Sequence, residues 1–404
     1  MSKSYEEIIK SHPDLDGVID KKSWEYIGLS NKATLKLLTK QWKANMAKNV
    51  SRGLFKKHGS MARDCIGIGK NKALVGIGAG PGLKKNQHIL KQIHDYDGVK
   101  AGKERDFVFV ASNHMFKPLL KEGIIPDFVA VGDASDVVMD QLTRDIPPSG
   151  QSVTLLAGLH CSPRVLKRWN AQGRDIRFYV TMTEELPEYF EELTGGNSKA
   201  VIVQQGGNIL NTMWSMGLKY FQSSTFMALG NDLSYPLAED IEVRRKNYYA
   251  DGDYTSNIGT KRDEASNVYE GNLQAWRGIK LERSRILSAD ATKRYNIELE
   301  HVLTTGTLWV YKTWIESNVL ANAKTSPVAY HYYNCTESGI AGVMCKAKKK
   351  KEFEDLNNWF LMDQVCKRWK TRMFSDAIEE FQTAKRMLKW GPSLNRSVVP
   401  AAIA

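Results

Sequence analysis

Four segments hold glycines and polar side chains of the kinds that handle anionic substrates. In VGIGAGPGLKK, residues 75–85, Gly78, Gly80 and Gly82 surround Pro81. Glycine permits close backbone approach, and proline suits a first helical turn because it has no N–H to lose. Such a turn after a strand is expected to point exposed N–H groups at a phosphate. It is not a dinucleotide fingerprint, because the next β-prone run ends in Ser112 and Asn113 rather than an acidic residue, and no GxxxxGK loop followed by Ser or Thr occurs.

The second segment, SNHMFKPLLKEGIIPDFVAVGD, ends in Asp133. At a strand's carboxyl end this side chain suits a cation, a sugar hydroxyl or a pterin nitrogen, and equally the cap of the next helix. The third, QQGGNILNTMWSMGLKYFQSSTFMALGNDLSY, opens a helix with Gly206, Gly207 and Asn208 and ends the following strand at Asp232. The fourth, YYNCTESGIAG, clusters Asn334, Thr336 and Glu337 after a short strand, a set able to hydrogen-bond a ribose or a base edge.

Positioning these segments on one edge requires a parallel sheet, and the sequence has its pattern. Apolar runs fall at 73–77, 107–111, 128–132, 153–158, 176–182, 200–204 and 225–230, separated by helix-length stretches. Near-continuous apolar strands alternating with helices predict a doubly wound, mostly parallel α/β domain with both faces covered. Before it, Leu35, Leu38, Trp42, Met46, Val50 and Leu54 form a helical stripe expected to pack on the domain. Residues 232–290 are polar and read as an excursion at a strand end, where a lid would stand. Later come a helix through TLWVYKTWIESNVLAN, the β-prone VAYHYY at 328–333, and helices from Glu352 to about Trp390. The expected divisions are an N-terminal helical segment 1–65, a central α/β domain 66–345 with its insertion, and a basic helical segment 346–404.

Composition restricts the class. The chain has 404 residues, 42% hydrophobic and 25% charged, which suits an ordered globular protein. Its net charge of +12 favours anionic partners. Runs such as Lys348–Lys351 and Lys367, Arg368, Lys370 and Arg372 read as solvated faces, and nucleic acid is not the expected partner. Five scattered cysteines without a C-x-x-C pair indicate neither a disulfide framework nor structural zinc. The opening MSKSYEEIIKSHPDLDG lacks a signal peptide's apolar core, and no stretch approaches a membrane span, so the expected location is cytoplasmic.

Taken in order, these motifs resemble the family joining archaeal 6-hydroxymethylpterin pyrophosphokinases and motility-associated-factor glycosyltransferases. The resemblance rests on the W-x-x-N-x-x-x-N of Trp42, Asn45 and Asn49, the G-x-G-P turn, the K-P-L-L block ending at Asp133, the G-G-N helix leading to G-N-D-L-S-Y, and the N-x-T-E-x-G turn. It implies a sialyltransferase-like Rossmann domain with a nucleotide-linked donor. One branch moves pyrophosphate from ATP to a pterin alcohol; the other moves a nonulosonic sugar from its CMP conjugate to a hydroxyl. The Asn334-Thr336-Glu337 turn and the N-terminal helix look more like the glycosyltransferase branch.

On that resemblance, Gly78, Gly80, Pro81 and Gly82 would hold the donor phosphate, and Asn113, Gly206, Gly207, Asn208, Asn334, Thr336 and Glu337 would orient nucleotide and sugar. Asp133 or Asp232 would contact the donor or a cation, and His301, His331 or Asp232 would serve the acceptor hydroxyl. Glycosyl transfer of this type implies no required cofactor, whereas the pyrophosphokinase branch implies magnesium on carboxylates. A third reading is a catalytically degenerate nucleotide-binding protein.

Overall fold

The computed structural model describes residues 38–100, 104–182, 185–196, 201–236, 250, 279–289, 295–304, 306–343, 346–347 and 362–390. Nine strands form one parallel sheet in the order β13-β11-β7-β1-β2-β3-β4-β5-β6. They are β1 (Ala73–Ile77), β2 (Phe107–Ser112), β3 (Phe128–Val131), β4 (Thr154–Gly158), β5 (Ile176–Thr181), β6 (Ile202–Val203), β7 (Thr225–Leu229), β11 (His331–Asn334) and β13 (Trp369–Thr371). The expected α/β class is therefore what the chain adopts.

Period-two side-chain alternation explains the apolar runs. Leu74, Val108 and Val110 enter one core, with Trp214 and Ile315. Ala73, Val75, Ile77, Phe107 and Phe109 enter another, with Leu83, Leu90 and Phe381. Both faces are thus buried, and every residue of β1 and β2 must be apolar or small. Trp214 lies on helix Ile209–Met216 and Ile315 on helix Gly306–Thr325. The other face is covered by helices Leu83–Gly98 and Phe374–Trp390.

The chain steps outward from β1 through β6 and then returns, placing β7 on the free side of β1. The strand order therefore reverses between β1 and β7. In register, Ile77 lies beside Leu229, and Ala228 beside Asn334, so Gly78, Gly230 and Thr336 emerge from three neighbouring strands at the carboxyl edge.

A second, four-stranded sheet has the order β12-β9-β10-β8, with β8 (Tyr235–Pro236), β9 (Ile279–Ala289), β10 (Tyr295–Thr304) and β12 (Lys346–Ala347). The polar excursion thus ends in a long antiparallel pair that the sequence reading did not place. Most of that excursion lies outside the described residues, as does the Lys348–Lys351 run.

One strand sits where a helix was expected. Trp369–Thr371 pairs parallel with Tyr332–Asn334 as an edge strand. The basic run around it is not simply a solvated face. Lys370 pairs with Glu380, Arg372 Nε lies 3.5 Å from Glu380 Oε2, and Arg368 donates to the carbonyls of Asn322, Ser326 and Val328.

Candidate functional site

The ends of β1, β7 and β11 are laced together by their own atoms. Gly78 N–H donates to Leu229 O at 2.8 Å, and Gly80 N–H to Gly230 O at 2.9 Å. Gly82 N–H, just ahead of helix Leu83–Gly98, donates to Asp232 Oδ1 at 2.9 Å, and the Ser338 hydroxyl donates to the same oxygen. On the far side, Asn231 N–H donates to Thr336 Oγ1 at 3.1 Å, and Ile340 N–H to Asp232 O at 2.8 Å.

Glycine is required at two of these positions by space. A Cβ on Gly80 would lie 2.0 Å from Asp232 Oδ2 and 2.6 Å from Gly230 O, and one on Gly82 would lie 2.2 Å from Ser338 Oγ. The expectation of exposed amides is corrected here: the anion at the helix start is the protein's own Asp232 carboxylate. Negative charge suits that position for the reason a phosphate would, namely orphan N–H groups and the helix dipole. Pro81 lies within this turn, as its missing N–H allows.

The Asn334-Thr336-Glu337 turn reaches the same edge with its polar groups turned inward. Asn334 is buried, donates to Ala341 O at 2.9 Å and accepts from Thr336 N–H. Glu337 adopts φ 58° and accepts Phe374 N–H at 2.9 Å, at the start of helix Phe374–Trp390. Lys85 and Asn86, from the helix behind the glycine turn, donate to the carbonyls of Glu337 and Cys335.

Other candidates are distributed along the edge. Asn208 caps helix Ile209–Met216 by accepting Asn211 N–H at 2.7 Å and also donates to Asn231 Oδ1 at 3.3 Å, linking the start of that helix to the turn after β7. Gly206 and Gly207 admit aromatic rings: a Cβ on Gly206 would meet Trp314 at 2.3 Å and one on Gly207 would meet Tyr311 at 2.0 Å. Asn113 donates to Gln141 Oε1 at 2.6 Å. Asp133 is exposed and accepts the Ser135 N–H and hydroxyl at 2.8 and 2.7 Å, the local turn that competes with ligand contact.

The structure does not bring all candidates together. Asp133 follows β3 and Asp232 follows β7, three strand spacings or about 14 Å apart. Magnesium ligands stand about 2 Å from the ion, so these two carboxylates do not share one cation. His331 begins β11 beside Thr225, roughly 13 Å along the strands from the row of Leu229, at the amino edge. Burial pushes its imidazole down to about 4, with Lys370 adding to the effect. His301 lies on β10 opposite Glu282, and its side chain is outside the described residues.

A set of residues that sequence reasoning noted only as a motif joins the N-terminal helix to this edge. Asn45 Nδ2 donates to Ala134 O at 2.9 Å and His160 O at 3.0 Å; Asn49 Nδ2 donates to Leu159 O at 2.8 Å and Cys161 O at 3.0 Å. The helix over 38–51 is therefore clamped onto the loops after β3 and β4, with the Trp42 ring 5.1 Å from His160. His160 itself bonds Gly132 O at 2.9 Å, and burial lowers its imidazole to about 4, keeping it neutral. The four-residue spacing of Asn45 and Asn49 was the only visible signal; their carbonyl partners lie about a hundred residues away.

A parallel sheet whose order reverses between β1 and β7, with polar turns gathered at that reversal, defines an α/β protein with helices on both faces of the sheet. Residues 40–237 match the family described as 6-hydroxymethylpterin diphosphokinase MptE-like. Among solved structures, the MAf glycosyltransferase from Magnetospirillum magneticum AMB-1 is similar at 14% identity and a TM-score of 0.44. That likeness covers 86% of this chain but 42% of the other, so the chain spans about two fifths of that protein's length. No curated protein matches. Among the described residues, no helix is long and apolar enough to cross a membrane.

Proposed function

We propose that this chain is a transferase that takes a nucleotide-activated sugar, of the CMP-nonulosonate type, and transfers the sugar to a hydroxyl acceptor. The observation carrying the reading is the convergence of Gly78–Gly82, Asn231–Asp232 and Thr336–Ser338 at the point where strand order reverses. In doubly wound sheets the crevice for a nucleotide opens there. The laced tips supply a rigid rim, and Asp232 is the acidic group oriented at that rim. On rotating out from Gly82 and Ser338 it would accept the acceptor hydroxyl's proton, the role an inverting transfer requires of a base. Asp232→Asn is then expected to keep donor binding and lose transfer.

The family description favours a second reading, diphosphoryl transfer from ATP to a pterin alcohol. That reaction needs a metal bridging the phosphates. Asp133 and Asp232, about 14 Å apart, would each have to recruit such a cation alone. Calorimetric titration of the full chain with CMP and with ATP, each with and without magnesium, separates the readings. Binding of CMP irrespective of magnesium is expected for sugar transfer. Magnesium-dependent ATP binding with no response to CMP would remove it in favour of the diphosphokinase.

A further inference from the structure

The N-terminal helix does more than clamp the sheet edge. Gln41, Asn45, Lys48 and Arg52 recur at spacings of four, three and four, which places them on one helical face. That face, the Ala134–Asp136 loop after β3 and the Ser162–Arg164 loop after β4 line a groove of about 410 Å³. Its volume is within the range of small-molecule sites, and it opens on the edge where parallel sheets take ligands. Two strand spacings, about 10 Å, separate the end of β3 from the glycine turn.

The groove's charge is positive. Lys48, Arg52 and Arg164 face a single carboxylate, Asp136, which already accepts the Ser162 hydroxyl and pairs with Arg164 at 2.7 Å. Among the described residues no carboxylate pairs with Lys48 or Arg52. Ser162 also caps the nine-residue helix Pro163–Ala171, so that helix directs its positive end at the same space. Meanwhile the amides of the glycine turn are occupied by Asp232 and by the neighbouring strand.

We propose that this groove is the oxyanion subsite of the transferase, holding a phosphoryl or carboxylate group of the donor between Lys48, Arg52, Arg164 and the start of helix Pro163–Ala171. The proposal rests on the donor reading above and moves the anionic anchor away from the glycine turn. Arg164 then exchanges Asp136 for the ligand, while Lys48 and Arg52 supply charge from the helix that Asn45 and Asn49 hold in place.

The test uses the full chain, wild type and the Lys48→Ala/Arg52→Ala double variant, with inorganic pyrophosphate, free N-acetylneuraminate and CMP as probes. Affinity is read by calorimetry, and acetylation of Lys48 is read by mass spectrometry against Lys91, half-buried and paired with Asp95, as the internal reference. Pyrophosphate or N-acetylneuraminate is expected to protect Lys48 but not Lys91, and the double variant to weaken that binding about tenfold. Protection by pyrophosphate assigns the subsite to a phosphoryl group; protection by N-acetylneuraminate alone assigns it to the sugar carboxylate. Unprotected Lys48 with both anions, or equal affinity in the variant, overturns the proposal. CMP binding by the double variant, with its pyrophosphate and N-acetylneuraminate affinities both at the wild-type level, would remove the groove and leave the donor reading standing. Pyrophosphate protection in a protein that ignores CMP would do the reverse.

Discussion

Replacing Gly80 by alanine tests whether the three strand tips are locked as described. The new methyl would lie 2.0 Å from Asp232 Oδ2 and 2.6 Å from Gly230 O. Asp232 can swing away, but Gly230 cannot: its carbonyl accepts Gly80 N–H, and its own backbone sits at φ 62°. Overpacking of this kind costs about 1–3 kcal/mol. Expelling Asp232 from Gly82 N–H removes a hydrogen bond to a charged group worth about 1.5–3 kcal/mol. The sum is roughly 2.5–6 kcal/mol, read as a loss of unfolding free energy in urea by tryptophan fluorescence. Gly98→Ala is the matched control, because nothing lies within 4 Å of its added Cβ, and it should stay within about 1 kcal/mol of wild type. If Gly80→Ala and Gly98→Ala unfold alike, the lacing of β1, β7 and β11 is wrong.

Asn49→Ala should lose roughly 2–4 kcal/mol, since it strands the buried carbonyls of Leu159 and Cys161, and Asn49→Asp should be no better; wild-type denaturation by either variant would contradict the clamp. Gly207→Ala pushes a methyl into the Tyr311 ring at φ 82° and should cost about 1–3 kcal/mol, with Tyr311→Ala in the same background restoring part of it; additive losses would argue against that contact. His160 and His331 are held at about 4, below the ordinary 6.5, so each contributes stability that is full above pH 6.5 and lost as pH falls toward 4. Imidazole proton resonances titrating near 6.5 for either residue would contradict their burial.

The sheet was readable because burial on both faces leaves little room for polar residues, so β1, β2 and β7 appear as unbroken apolar runs. The edge strand Trp369–Thr371 was not, since three residues carrying a lysine have no period and only pairing with Tyr332–Asn334 makes them a strand. At the site, the segments that meet were legible and their contacts were not. Asp232 and Gly82 are 150 positions apart, and nothing local announces that one's carboxylate fills the other's amide. Gly206 and Gly207 looked like ligand glycines, yet the rings of Trp314 and Tyr311, a hundred residues later, need their missing side chains. His331 was nominated by residue type alone; its place in the strand, fixed by register with Thr225, puts it at the other edge.

Hydrogen–deuterium exchange of the full chain, with and without saturating CMP, asks most directly whether a donor sits where β1, β7 and β11 end. Peptides covering residues 78–83, 132–137, 162–165, 230–233 and 336–340 should slow on CMP addition, while those covering 67–72, 222–225 and 326–331 at the amino edge should not change. Slowing confined to the amino-edge peptides, or none anywhere, would contradict the carboxyl-edge site.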